Sequence, residues 1–178
     1  MIGVLVSGNG TNLQALLDAG LPVVAVASNR RDATALTRAG TTATSAFELS
    51  DYAGREERDG AMADWLRENG VELVVLAGYM HLLTPVFLER FPNAVVNVHP
   101  SLLPQFPGAH AVEDQLAAGV AESGATVHLV DEGIDTGPIL AQERVQVREG
   151  DTADSLHERI KELEHRLLPR VVGELCAR

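Results

Sequence analysis

A helix-like stretch from about Arg55 to Asn69 stops at Gly70 and gives way at once to the apolar run Val71 to Ala77. A strand made of such a run suits burial on both faces, which is the environment of a parallel sheet covered by helices. The same change of period recurs along the chain. Ile2 to Val6 is a short apolar run closed by Ser7-Gly8-Asn9-Gly10, after which Leu13, Leu16 and Leu17 return at helical spacing. Pro22 to Ser28 reads as a second strand, followed by a short helix from about Asp32 to Ala39 and a strand near Thr41 to Ala46. Strand, turn and helix in repeated alternation predict a mainly parallel α/β sheet whose N-terminal half is Rossmann-like.

Further along, Thr84 to Arg90 reads as a helix with Pro85 in its first turn, and Ala94 to Val98 as the next strand. His99 to Ala109 is a loop, because Pro100, Pro104 and Pro107 suit neither a helix interior nor a central strand. A helix near Ala111 to Ala118, a strand near Ala125 to Val130 and an extended stretch from Ile139 to Val147 follow. The last helix begins near Asp151 or Thr152, either of which can cap it, and carries Leu156, Ile160, Leu163 and Leu167 on one stripe. At 178 residues, 46% of them hydrophobic, the chain can bury one sizeable core and is short for two. The expectation is a single three-layer domain over residues 1–178.

Composition narrows the function. A formal net charge of −11 disfavours a nucleic-acid surface, which needs clustered Lys and Arg. An anionic ligand must then be held by backbone N–H groups and a few placed cations. The apolar stretches fall far short of the roughly 20 residues of a membrane helix, and no basic-then-apolar leader precedes them. A cytoplasmic protein with no membrane association is expected. Cys176 is the one cysteine, so there is no internal disulfide, and it is read as a small, semi-buried side chain.

Three segments carry chemistry. The turn Ser7 to Asn12 offers backbone N–H groups and a helix start to an anion such as phosphate, or is simply a tight turn. A dinucleotide fingerprint would need a glycine where this chain has Leu13. Asn97-Val98-His99-Pro100-Ser101-Leu102-Leu103-Pro104 follows a buried strand, and the carboxyl ends of strands are where open α/β sheets bind ligands. Asn97 and His99, two apart on extended chain, point to one side, as catalytic groups or as a satisfied hydrogen-bonding pair. The loop Asp131-Glu132-Gly133-Ile134-Asp135-Thr136-Gly137-Pro138 is acidic and glycine-bearing, and on spacing alone reads as a solvated turn. His128 falls mid-strand, where a buried, hydrogen-bonded ring is expected. No metal site is expected, because no histidine pair has helical metal-ligand spacing. With neither a nucleophile elbow nor a Walker loop, the set of amide, imidazole and carboxylate suits direct attack by a substrate's own amine on a carbonyl.

The run Ser7 to Gln14, the block Asn97 to Pro104 continuing through Phe106-Pro107-Gly108, and the ending Asp135-Thr136-Gly137-Pro138 occur in this order in the folate-dependent formyltransferases. The chain resembles that family over nearly its whole length. The resemblance implies transfer of the formyl group of 10-formyltetrahydrofolate to the amine of glycinamide ribonucleotide, a step of purine biosynthesis. The folate is then a co-substrate, with no permanently bound cofactor, and the protein is a monomer or homodimer. By the same resemblance Asn97, His99 and Asp135 match the catalytic trio. Gly10, Thr11, Asn12, Lys161 and Glu164 match the ribonucleotide site. Arg55, Met80, His81, Leu82, Leu83 and Asn97, with Asp131, Glu132, Gly133 and Ile134, match the folate site. Where this chain has His81 the family usually places a longer cation or a hydrophobe. The alternatives are a catalytic domain acting on methionyl-tRNA, which normally brings a further C-terminal domain and a basic surface, and a non-catalytic nucleotide-binding module.

Overall fold

The computed structural model describes residues 1–177. Seven strands are ordered β3-β2-β1-β4-β5-β6-β7, a mostly parallel α/β sheet as the alternating periods predict. The chain divides into two compact units, residues 1–96 and 97–178.

The first unit comprises β1 (Ile2–Val6), α1 (Thr11–Asp18), β2 (Val23–Ser28), α2 (Ala35–Arg38), β3 (Ala43–Ala46), α3 (Arg55–Glu68), β4 (Leu73–Leu76) and α4 (Pro85–Leu88), with the start of β5 (Val95–His99). β1 pairs in parallel with both β2 and β4, and all five of its residues are buried. Leu13 and Leu16 of α1 and Met62, Ala63 and Leu66 of α3 supply the helix side of this core. Each large apolar side chain buried in this way contributes about 1.5–3 kcal/mol.

Two elements are shorter than the sequence pattern implies. α2 covers only Ala35–Arg38, because residues before it are drawn into a turn: Arg30 pairs with Asp32, and Arg31 donates from its backbone N–H and its guanidinium to Glu48. β4 begins at Leu73, two residues into the apolar run, and the Glu72 side chain points out to the N-terminal ammonium, 2.7 Å away. A 3-10 turn at Leu49–Asp51 has no counterpart in the sequence reading.

The second unit holds the end of β5, then α5 (Ala111–Ala117), β6 (Glu122–Leu129), β7 (Ile139–Gln146) and α6 (Ala153–Cys176). β6 starts three residues earlier than its apolar pattern, since Glu122, Ser123 and Gly124 pair antiparallel with Gln146, Val145 and Arg144 of β7. Pairing overrides local propensity at these three positions. Thr152 caps α6: its hydroxyl accepts from the Ser155 backbone N–H at 3.2 Å, and the Ser155 hydroxyl accepts from the Thr152 N–H at 2.9 Å. Leu156, Ile160, Leu163 and Leu167 are all buried, as their spacing predicts, and α6 packs on β6 and β7. Cys176, expected semi-buried, is exposed: it sits in the helix's last turn, beyond the buried stripe that ends at Val172.

Candidate active site

β5 carries Asn97 and His99 on one side, as their spacing of two requires. Asp135, on the connection from β6 to β7, reaches the same place from a backbone at φ 54°, a left-handed conformation uncommon for a side-chain-bearing residue. Its carboxylate is held on both oxygens. Oδ2 lies 3.3 Å from His99 Nδ1 and accepts the Gly108 N–H at 2.8 Å. Oδ1 lies 3.5 Å from both Asn97 Nδ2 and His128 Nε2. The three residues named from the motifs, Asp135 distant in sequence from the other two, are thus one cluster in the second unit.

Its electrostatics follow from what surrounds each group. Burial alone would raise the Asp135 pKa, but the contact with the His128 ring, the Gly108 N–H and the nearby His99 ring bring it below the ordinary carboxylate value. Burial pulls the His99 pKa down, against the Phe106 carbonyl and Asp135, both of which favour charge. His99 Nε2 is 2.8 Å from that carbonyl, so each ring nitrogen faces an oxygen acceptor and only the imidazolium can donate to both.

A buried polar frame fixes the loop after β5. Ser101 donates to the Gln105 carbonyl at 2.6 Å, and Thr126 of β6 donates to the Ser101 carbonyl and accepts the Leu103 N–H. Gln115 of α5 donates to the Pro100 carbonyl at 2.9 Å. Beside the cluster, Leu103, Pro104, Pro107, Ile134 and Ile139 line a mainly apolar cavity of about 190 Å³ that Asp135 also borders. Ser101, Gln115 and Thr126 were invisible as site-builders in the sequence, since isolated small polar residues carry no periodic signal.

In the first unit, Gly10 is the N-cap of α1 at φ 73°, and a Cβ there would lie 2.5 Å from that of Ala35. Glycine is therefore required by backbone conformation and by α2, whether or not a ligand approaches. Gly8, by contrast, has open space where its Cβ would be. Thr11 is exposed and Asn12 buried in the first turn of the helix. Arg38 brings a guanidinium to the turn, its Nε donating to the Asn9 carbonyl at 2.5 Å. No motif marked Arg38; only the fold puts it there.

The residues expected at the folate site fall in two groups. In the first unit Arg55 donates to the Leu82 carbonyl at 2.6 Å, Met80 and Leu82 are exposed, and Leu83 is buried. His81 turns inward: Nδ1 accepts from Arg58, and Nε2 is 3.2 Å from the Asn29 amide. Arg58 and Asp59 are an ion pair of 2.6 Å with both side chains fully buried, and Asp59 also accepts the Thr84 N–H. The sequence motifs singled out neither of them. The signal was their place on the inward stripe, with Arg58, Met62 and Leu66 at intervals of four. In the second unit Asp131 accepts from the Gly133 N–H and the Thr136 hydroxyl, leaving Glu132 and Ile134 exposed on that loop. Lys161 and Glu164 sit one turn apart on α6, Lys161 exposed enough to pair with Glu158 and Glu164 buried. Among the described residues no helix is long and apolar enough to cross a membrane.

The chain is an α/β enzyme of the mostly parallel class, with a His–Asp–Asn cluster at the end of its fifth strand, where open α/β sheets bind ligands. The chain belongs to the formyl transferase family, whose sequence model matches residues 1–172. It is 46% identical over 179 residues to the phosphoribosylglycinamide formyltransferase of Mycobacterium tuberculosis, covering 97% of this chain and 83% of that one. It is 44% identical to part of the trifunctional purine biosynthetic protein adenosine-3 of Chironomus tentans, of which it spans only 13%. The crystal structure of phosphoribosylglycinamide formyltransferase from Streptococcus pneumoniae TIGR4 superposes with a TM-score of 0.93 at 43% identity, covering 98% of this chain and 97% of that one.

Proposed function

We propose that this chain, acting as one domain over residues 1–178 in the cytoplasm, transfers the formyl group of 10-formyltetrahydrofolate to the amine of glycinamide ribonucleotide. The observation that carries this reading is the Asp135 carboxylate held between His99 and Asn97, in a chain whose sequence relatives are named for that activity. The amine lone pair attacks the formyl carbon and the carbonyl electrons move onto its oxygen. The tetrahedral intermediate then collapses, breaking the bond to the leaving nitrogen, which takes up the proton that the amine gives up. His99 in its charged form and the Asn97 amide donate to the developing oxyanion. The Nε2–H that meets the Phe106 carbonyl is the donor the formyl oxygen would share. Each such donor is typically worth about 3–4 kcal/mol of transition-state stabilisation. Asp135 keeps His99 oriented and favours its charge, and assists the proton transfer.

The turn at Gly10, Thr11 and Asn12, with Lys161 and Glu164, receives the ribonucleotide. Arg55, residues 80–83 and the loop Asp131 to Ile134 receive the folate. Formyl transfer assayed with purified protein, 10-formyltetrahydrofolate and either glycinamide ribonucleotide or methionyl-tRNA as acceptor tests the reading. Turnover only with the ribonucleotide is expected. Transfer to the tRNA would put the chain with the other branch of the family, and absence of both would leave a nucleotide-binding module.

A further inference from the structure

We infer that His128, a buried ring on β6, is a positioning residue that fixes which face of the Asn97 amide meets the reacting groups; the inference deepens the reading of this site given above. The His128 Nδ1 is 2.8 Å from the Leu129 carbonyl oxygen, which can only accept, so Nδ1 carries a proton. Its Nε2 is 3.2 Å from Asn97 Nδ2, nearer than the Asp135 carboxylate at 3.5 Å. An amide nitrogen has no lone pair to offer. A proton on Nε2 would therefore face another N–H, whereas the unprotonated nitrogen accepts one of the two Asn97 hydrogens.

This pins the amide. With Nδ2 drawn toward His128, the second hydrogen of Asn97 is directed to the Asp135 side, and at 3.5 Å it is only weakly engaged there. That hydrogen is the one available to a developing formyl oxygen. Were the amide turned over, its carbonyl would face the same oxygen and repel it. The ring's burial, with 2% of its surface exposed, shields this arrangement from competing water. His128 itself touches no substrate. It acts through Asn97, much as a second-layer partner sets the tautomer of a ligating group.

Two variants separate the two ring nitrogens. His128→Gln puts an amide near Nε2 whose oxygen can still accept from Asn97, while His128→Asn keeps a donor near Nδ1 and leaves Asn97 unpinned. Turnover in His128→Gln should stay close to wild type. In His128→Asn it should fall roughly tenfold to hundredfold with both Michaelis constants little changed, the order of loss a misplaced catalytic group produces. Equal losses in the two, tracking equal drops in unfolding midpoint, would mean a merely structural ring and overturn the inference. Nitrogen-15 NMR of histidine-labelled wild-type protein gives a second reading that needs no variant to fold. A neutral ring protonated at Nδ1 alone is expected, and a proton found on Nε2 overturns the assignment. If the wild type transfers no formyl group to either acceptor, the functional reading fails, while the NMR result still judges the His128 geometry.

Discussion

Arg58 donates its guanidinium to Nδ1 of His81, at a point where the arginine is fully buried and already paired with Asp59. With Asn29 on its other nitrogen, the His81 side chain is turned toward the interior of the first unit while its backbone belongs to the exposed segment around Met80 and Leu82. Removing Arg58 would strand the Asp59 carboxylate without its partner. Arg58→Met should destabilise the protein by about 3–5 kcal/mol, the range for breaking one side of a buried pair. The double variant Arg58→Met/Asp59→Leu should lose less than the sum of the two single losses, as measured by urea denaturation. Additive losses would show that the pair does not act as a unit.

Acid should weaken the fold as its partly buried histidines take up protons. Burial is the largest cause lowering the pKa of His81, His99, His157 and His165, with neighbouring cations adding to it at His81. Each has a folded value below the ordinary 6.5, so between the two values the unfolded chain binds more protons. Their contribution is complete above about pH 6.5 and is lost as pH falls from there through the folded-state values. Asp135 is lowered from 3.8 and enters only in stronger acid. The urea midpoint should thus decline from pH 7.5 to about 5, and a flat midpoint over that range would count against burial holding down the protonation of these rings.

The catalytic trio should affect turnover more than affinity, because the charge it stabilises on the formyl oxygen develops only in the transition state. Asn97→Ala, His99→Ala and Asp135→Ala should each lower kcat by roughly a hundredfold or more, with both Michaelis constants changing far less. Since Asp135 Oδ2 sits against His99 Nδ1, its loss should add little once His99 is gone. A double variant with the full product of the single losses would mean independent roles, and near-normal activity in His99→Ala would refute the mechanism.

The glycine turn permits a test of phosphate binding that does not disturb the fold. Gly10 cannot take a side chain, given its φ of 73° and the Ala35 Cβ only 2.5 Å from where its own would be. Gly10→Val should therefore lose stability whatever it does to binding. Gly8→Ala meets nothing within 4 Å and should fold normally. If the turn cradles a phosphate, Gly8→Ala raises the Michaelis constant for the ribonucleotide and leaves that for folate alone, and inorganic phosphate competes with the ribonucleotide only. Equal effects on both substrates would move the phosphate site elsewhere.

Removing the Thr152 cap from α6 should cost about 0.5–2 kcal/mol in Thr152→Ala, read as a lower thermal midpoint, with kcat unchanged. The helix it starts carries Leu156, Ile160, Leu163 and Leu167 into the second unit's core, so a loss of turnover at equal folded fraction would tie that helix start to the site instead.

The order of elements, the both-sides-buried strands, the strand-end position of Asn97 and His99 and the inward stripe of α6 were legible in the sequence, because each depends on periodicity or on a turn residue that acts locally. What pairs with what did not follow from the sequence. Glu122 to Gly124 became strand because β7 lies opposite. Arg58 and Asp59 look like helix surface until the buried stripe beneath them is seen, and a charged pair can be interior only if each member finds the other and their remaining donors and acceptors are met. The acid loop read as a solvated turn on spacing alone. Asp135 on that loop is held by groups at positions 97, 99, 108 and 128, and contacts at such separations are set by tertiary packing, for which no local pattern in the chain exists.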